Sequence, residues 1–177
     1  MTGSFILDLI STVTLVAGVV FAMVQVRNFR LARQRESAFE LFRTLQTRMF
    51  ASGIDLVISL PDGLDDEGLK QRLSGKMDLL YALLTTFENI GILVHRGELD
   101  LELVDDYLSG FIVITWRKTH AYIRAVRREQ ARDTFAEWVE WLYDRIAERE
   151  TTATPVPAYI AHRSWQPRRR SLRRPTV

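Results

Sequence analysis

From Phe5 to Val26 the chain runs 22 residues with a single charge, Asp8, and then turns at once to the basic run RNFRLARQR. At about 1.5 Å per residue such a stretch crosses a hydrocarbon core of about 30 Å, which predicts a transmembrane helix. Arg27 to Phe50 holds neither Gly nor Pro, and Ala38, Phe42, Leu45 and Met49 recur at helical spacing, so the helix is expected to continue out of the membrane, with Gly53 as its stop. Ser52 to Gly63 carries Gly, Asp and a Pro-Asp-Gly turn signal; Ile54 to Leu60 fits a short helix or a strand.

A long central helix is expected from Leu64 or Asp65 to Arg96. Asp65, Asp66 and Glu67 suit its N-terminal dipole, and Gly97 suits a left-handed end. Its stripe of Leu69, Leu73, Met77, Leu80, Leu84, Phe87, Gly91 and Val94 is widened by Leu79, Leu83 and Ile90, an arc broad enough to meet more than one neighbour. Asp100 is placed to cap the next helix, whose Val104, Leu108, Phe111, Ile112, Tyr122 and Val126 share a face interrupted by Thr115 and Thr119. The run Phe111 to Trp116 is rich enough in β-branched and aromatic residues for a strand, but the helical stripe resumes beyond it. Thr134 to Glu137 has capping-box spacing, opening a last helix that buries Phe135, Trp138, Leu142 and Ile146, either bent away from its predecessor or continuous with it. The expected fold is all-α: one N-terminal transmembrane helix continuing into a cytoplasmic bundle of about four helices.

Thirteen of the residues from Phe5 to Val26 are Leu, Ile, Val or Phe, together worth about −4 to −8 kcal/mol on an insertion scale. Asp8 lies in the first turn, near headgroups, and opposes this only weakly. A cleaved signal peptide fits poorly, because Met1 to Ser4 carry no Lys or Arg and no small-x-small site follows the apolar run. Arg27, Arg30, Arg33 and Arg35 mark the cytoplasmic flank, which predicts an inner-membrane protein with its N-terminus outside. Thr14, Gly18 and Ala22 lie four residues apart on one face and offer a surface for self-association. The divisions are therefore an anchor over 1–26, a helical domain over 27–150 and a tail over 151–177.

Charge is segregated along the chain. Six of the 24 basic residues fall between Arg163 and Arg174 and no acid follows Glu150, leaving the tail at +6 and the remainder at −4. With four of the five prolines and no helical stripe, the tail is expected to be disordered. Arg168, Arg169, Arg170, Arg173 and Arg174, with Trp165, suit anionic lipid headgroups near the inner leaflet. Nucleic acid is disfavoured, since no recognition module accompanies the arginines.

The segment TFENIGILVHRGELDLELVDDYLSGFIVITW, the spacing from it to Ile123 and Arg127, and the closing FAEWVEWL resemble the bacterial DUF4760 family. Its members are small proteins of unknown function, commonly with an N-terminal membrane helix. The resemblance spans about residues 70 to 145 and implies an all-helical domain, with no activity to carry over.

Reaction chemistry is sparse. There is no cysteine, the three histidines at 95, 120 and 162 have no ligand spacing, and the nine glycines form no phosphate-binding loop. No catalytic residue, metal or cofactor is therefore assigned. Glu88 sits at the edge of the central stripe, and Trp116, His120, Ile123 and Arg127 share an edge of the next helix. Glu88 and Arg127 are expected to form a structural polar pair at the core boundary. The protein is thus expected to be an interaction or scaffold module, with a membrane-bound enzyme centred on Glu88, His120 and Arg127 as the competing reading.

Overall fold

The computed structural model describes residues 2–152 and 156–166; in the N-terminal helix the side chains of residues 2–13, 30, 31, 34, 35, 37–40 and 42 lie outside the description. The described residues form seven helices and no strand: α1 (Thr2–Leu45), α2 (Arg48–Ser59), α3 (Asp66–Arg72), α4 (Met77–His95), α5 (Leu101–Gln130), α6 (Glu137–Thr152) and α7 (Ala158–Ala161). The all-α expectation holds, and the apolar stretch is helical and continuous with the basic segment after it.

The first departure comes at Gln46 and Thr47, where the expected single helix from Arg27 to Phe50 breaks. Thr47 turns extended and its hydroxyl accepts the Phe50 N–H at 3.2 Å, starting α2 afresh. The break resets the register, so Phe50, Ile54 and Val57 are buried while Met49 is exposed. Gly53 is not a stop. It lies inside α2, where a Cβ would stand 3.1 Å from both the Leu79 carbonyl oxygen and the Leu83 Cβ of α4, so its bare backbone lets the two helices approach closely. The stretch from Ile54, which fits a short helix or a strand by sequence, is helical to Ser59.

The expected helix from Asp65 to Arg96 is two helices. Asp65 caps α3 through the Gly68 N–H at 2.8 Å, as its sequence position suggested. Leu73 to Lys76 then turn, with Gly75 at φ +77°, a left-handed conformation that glycine adopts without steric cost. The far end follows the prediction: Gly97 is left-handed at φ +68°, and Gly97 and Glu98 donate to the carbonyls of Val94 and Leu93. These two bonds are the Schellman pattern that satisfies the last carbonyls of α4.

α4 is the central element. It packs between α2 and α6 and buries Leu80, Leu83, Leu84, Phe87 and Ile90, while the end of α1, with Leu41 buried, rests on α2 and α4. Among the described residues α4 is long and apolar enough to cross a membrane, but a third of that stretch is buried, with its buried apolar side chains in the common core. α5 lies against α2, α3 and α6 and buries Val104, Leu108, Ile112, Trp116 and Ile123. Asp100 caps it through the Glu102 N–H at 2.9 Å, and the β-branched run Phe111 to Trp116 is helical. Thr115 and Thr119 are fully buried, and the Thr119 hydroxyl returns to the Thr115 carbonyl at 2.7 Å.

α5 ends at Ala131, which is left-handed, and residues 131–136 turn the chain back into α6. The two helices are separate, answering the open question of continuity. Val139, Leu142 and Ile146 are the buried residues of α6, whereas Phe135 and Trp138 are half-buried. In the tail, α7 is a single exposed turn, so Ala158–Ala161 departs from the expected disorder; residues 167–177 lie outside the described residues.

Candidate functional site

Glu88 lies near the middle of α4 and reaches the first turn of α6. Its Oε1 accepts hydrogen bonds from the backbone N–H groups of Trp138 at 2.7 Å and Val139 at 2.9 Å. The opening N–H groups of a helix have no partner within it, and this end carries the positive pole of the macrodipole. Glu88 supplies an acceptor and a negative charge together, from 50 residues away. The capping box expected at Thr134 to Glu137 is replaced: Ala136 takes φ +54°, and the Thr134 hydroxyl accepts instead from Arg132 Nε at 2.9 Å.

Arg127 holds the same turn from the α5 side. Its Nε donates to the Phe135 carbonyl at 2.8 Å, one terminal nitrogen to the Ala136 carbonyl at 3.2 Å, and the other to Glu140 Oε2 in a short ion pair. Glu88 and Arg127 therefore converge on residues 135–140 without bonding to each other, and among the described residues the ion-pair partner of Arg127 is Glu140. The expected pair is corrected to two separate clamps on one turn, since Glu88 bonds the Trp138 and Val139 N–H groups while Arg127 bonds two carbonyls and Glu140.

Close packing brings the clamps within reach. A Cβ on Gly91, one turn beyond Glu88, would lie 2.7 Å from the Trp138 Cβ. Only glycine lets α6 start this close to α4. Trp138, Trp141 and His95 then pack against one another, Trp141 meeting both other rings edge-on, with His95 centred 5.0 Å from Trp138 and 5.9 Å from Trp141.

Beside this turn lies a cleft of about 360 Å³ lined by Tyr81, Leu84, Thr85 and Glu88 of α4 and by Gln130, Arg132, Thr134, Phe135 and Ala136 opposite. Burial pushes the Glu88 carboxyl above its ordinary value and Glu137 adds to the rise; the Val139 and Trp138 N–H groups and Arg127 oppose it. The hydroxyl of Tyr81, a lining residue, meets that of Tyr122 at 2.7 Å, and burial followed by this bond raises the Tyr122 pKa.

His120 and Arg127 are not among the cleft's lining residues. The His120 ring nitrogen Nδ1 lies 3.0 Å and 3.2 Å from the Arg117 and Trp116 carbonyls of its own helix. Of the basic flank, Arg27 and Arg33 are exposed on α1, while the Arg30 and Arg35 side chains lie outside the described residues, as do Arg168, Arg169, Arg170, Arg173 and Arg174 entirely. Thr14, Gly18 and Ala22 are exposed on α1.

Lys118 is a residue the sequence did not single out. Its ammonium donates to the Ile58 and Leu60 carbonyls at 2.9 and 2.5 Å, closing the C-terminal end of α2 with a positive charge. The Thr-Trp-Arg-Lys-Thr context carries no local signal of this, because the recipient carbonyls lie about 60 residues earlier.

Residues 12–146 match the family DUF4760, described as a domain of unknown function. No curated protein and no solved structure matches the chain.

Proposed function

The chain belongs to the DUF4760 family, and we propose that it is a single-pass inner-membrane protein whose helical domain faces the cytoplasm and serves as a protein-interaction or scaffold module. One observation carries the membrane part. The α1 side chains from Leu15 to Phe29 stand outside the packed core, with Leu15 70%, Phe21 64%, Met23 67% and Phe29 68% exposed. A contiguous apolar surface of this kind finds its partner in lipid or in another apolar helix. With the single charge at Asp8 and the length from Phe5 to Val26, lipid is the better fit, and Arg27 and Arg33 suit the cytoplasmic flank.

A module is favoured over an enzyme because the charged groups singled out at the core boundary hold helix ends. Glu88 caps α6, Arg127 clamps the turn before it, and Lys118 closes α2. The enzyme reading needs an acid and a base sharing a cleft, and His120 bonds to its own helix instead. Further parts of the proposal are self-association through Thr14, Gly18 and Ala22, and attraction of the basic flank and tail to anionic headgroups.

Carbonate extraction and protease access in intact spheroplasts test the proposal. The protein should stay with the membrane pellet and its domain should be protected from outside. Release into the soluble fraction, or digestion of the domain from the periplasmic side, overturns it.

A further inference from the structure

We propose that the cleft between α4 and the α5–α6 turn is a binding site for a small molecule bearing a primary ammonium group, of amino-acid size, with Glu88 as its counter-charge. The inference is independent of the membrane anchor. It rests on how the cleft distributes polar and apolar groups.

Glu88 Oε1 is committed to the two N–H groups of α6, while Oε2 makes no hydrogen bond among the described residues and Glu88 lines the cleft. Oε2 is open to solvent in the cleft, so it can accept from a bound donor in place of water. The walls beside it are apolar: Leu84 and Ala136 are buried, and Phe135 meets the Tyr81 ring edge-on at 6.4 Å. Thr85, Gln130, Arg132 and Thr134 are exposed around the cleft and supply its hydrogen-bonding groups. Small-molecule sites combine apolar walls with a few convergent polar groups in volumes of about 300–1,000 Å³, and 360 Å³ falls at the small end of that range.

Charge selects the ligand. Glu137 is the neighbouring charge from α6 and has the sign of Glu88, so an anion beside Glu88 meets two carboxylates. Arg127, facing from α5, is spent on Glu140 and the Phe135 and Ala136 carbonyls. The cation that lines the cleft is Arg132, whose Nε is given to Thr134 and whose terminal nitrogens suit a carboxylate on the ligand's outer end. An α-amino acid and its decarboxylated amine share the ammonium and differ at that end. Because burial raises the Glu88 pKa, a cation docked against it would draw the carboxyl back down and release a proton.

The test uses the full chain in detergent micelles, titrated with phenethylamine, phenylalanine and 3-phenylpropionate by calorimetry in two buffers of different ionisation enthalpy. The two ammonium compounds are expected to bind with proton release at mildly acidic pH, and phenylpropionate is not. Glu88→Gln should weaken them about tenfold or more, because its amide oxygen still caps α6 while the charge is gone. Thr85→Trp, which fills the cleft and leaves Glu88 intact, should abolish binding, with the thermal melts of both variants reporting that the fold persists. Tighter binding of phenylalanine, lost in Arg132→Ala, identifies an amino acid; equal affinities identify a simple amine. No binding of either amine at about 10 mM, equal binding of phenylpropionate, or affinities unchanged in Glu88→Gln and Thr85→Trp overturns the proposal.

Discussion

Glu88 and Trp138 are joined by a 2.7 Å hydrogen bond from a backbone N–H to a carboxylate, and that bond sets where α6 begins. A helix N-terminus capped from another helix ties a local structural event to tertiary packing. α6 gains this cap only when α4 is in place.

Replacing Glu88 with Ala removes the acceptor from two N–H groups at a half-buried helix start. A loss of about 1–3 kcal/mol is expected. Glu88→Gln keeps the acceptor and should lose less than half as much. Urea unfolding of the two variants checks this, and equal losses would show that charge outweighs acceptor geometry.

The raised Glu88 pKa has a definite sign in linkage. The folded state holds the proton to higher pH than the unfolded state, whose reference value is 4.5, so its contribution is fully present below 4.5 and is lost as pH rises through the folded value. Arg127 and the two N–H bonds work against the rise, and Glu137 works with it. Asp144 is also raised, by burial first and then by Glu140, and adds a slope of the same sign. The stability difference between the wild type and Glu88→Gln, followed from pH 4 to 7 by chemical denaturation, should shift against the wild type as pH rises. A difference independent of pH would place the Glu88 proton outside this window.

Double-mutant cycles separate the two clamps. Arg127 and Glu140 side chains are 14% and 29% exposed and directly paired, so a coupling of about 1–3 kcal/mol is expected. Glu88 and Arg127, which share a turn but no bond, should couple by under about 1 kcal/mol. The reverse order would mean that the direct pair contributes less than the shared turn.

Two glycines should respond oppositely to Ala. At Gly91 the new methyl meets the Trp138 Cβ at 2.7 Å and its carbonyl oxygen at 3.0 Å, and a loss of about 1–3 kcal/mol is expected. At Gly110, inside α5 with nothing within 4 Å, the same change should stabilise by about 0.5–1 kcal/mol. Thermal melts of the two variants distinguish them by sign.

A peptide of residues 160–177 should bind phosphatidylglycerol vesicles, ignore neutral ones, and lose most of its binding between about 0.05 and 0.5 M salt. Tight binding to RNA or DNA at physiological salt with none to vesicles would assign the tail to nucleic acid.

What the sequence made legible was local. Asp65, Gly97 and Asp100 each act within a few residues of themselves, and the stripe of α5 repeats over enough turns to outweigh its β-branched run. What it hid depended on contact between distant segments. Gly53 reads as a stop in isolation and is a contact point once Leu79 and Leu83 lie against it. The Thr134 to Glu137 spacing reads as a cap, yet Glu88 occupies that role from α4. Glu88 was recognisable as a charge at the edge of a stripe, but its partners are backbone N–H groups, which leave no trace in the identity of residues 138 and 139. Arg127 lies at the edge its spacing predicts; two of its partners are main-chain carbonyls, and the third, Glu140, comes within reach only once α6 has turned back on α5.

With Phe5 to Val26 in a membrane as proposed, the continuity of α1 would set a stand-off. From Val26, the end of the apolar stretch, to Leu41, its first described buried residue, the helix advances about 22 Å at 1.5 Å per residue. A strut of that length along the membrane normal would raise the first packed layer of the domain well beyond the Debye length of about 8 Å at physiological salt. At that height the surface potential of the leaflet is largely screened, so lipid composition would bear little on the folded helices directly. It would reach them through a segment able to span the gap back to the bilayer, and after Glu150 the chain has 27 residues with which to do so.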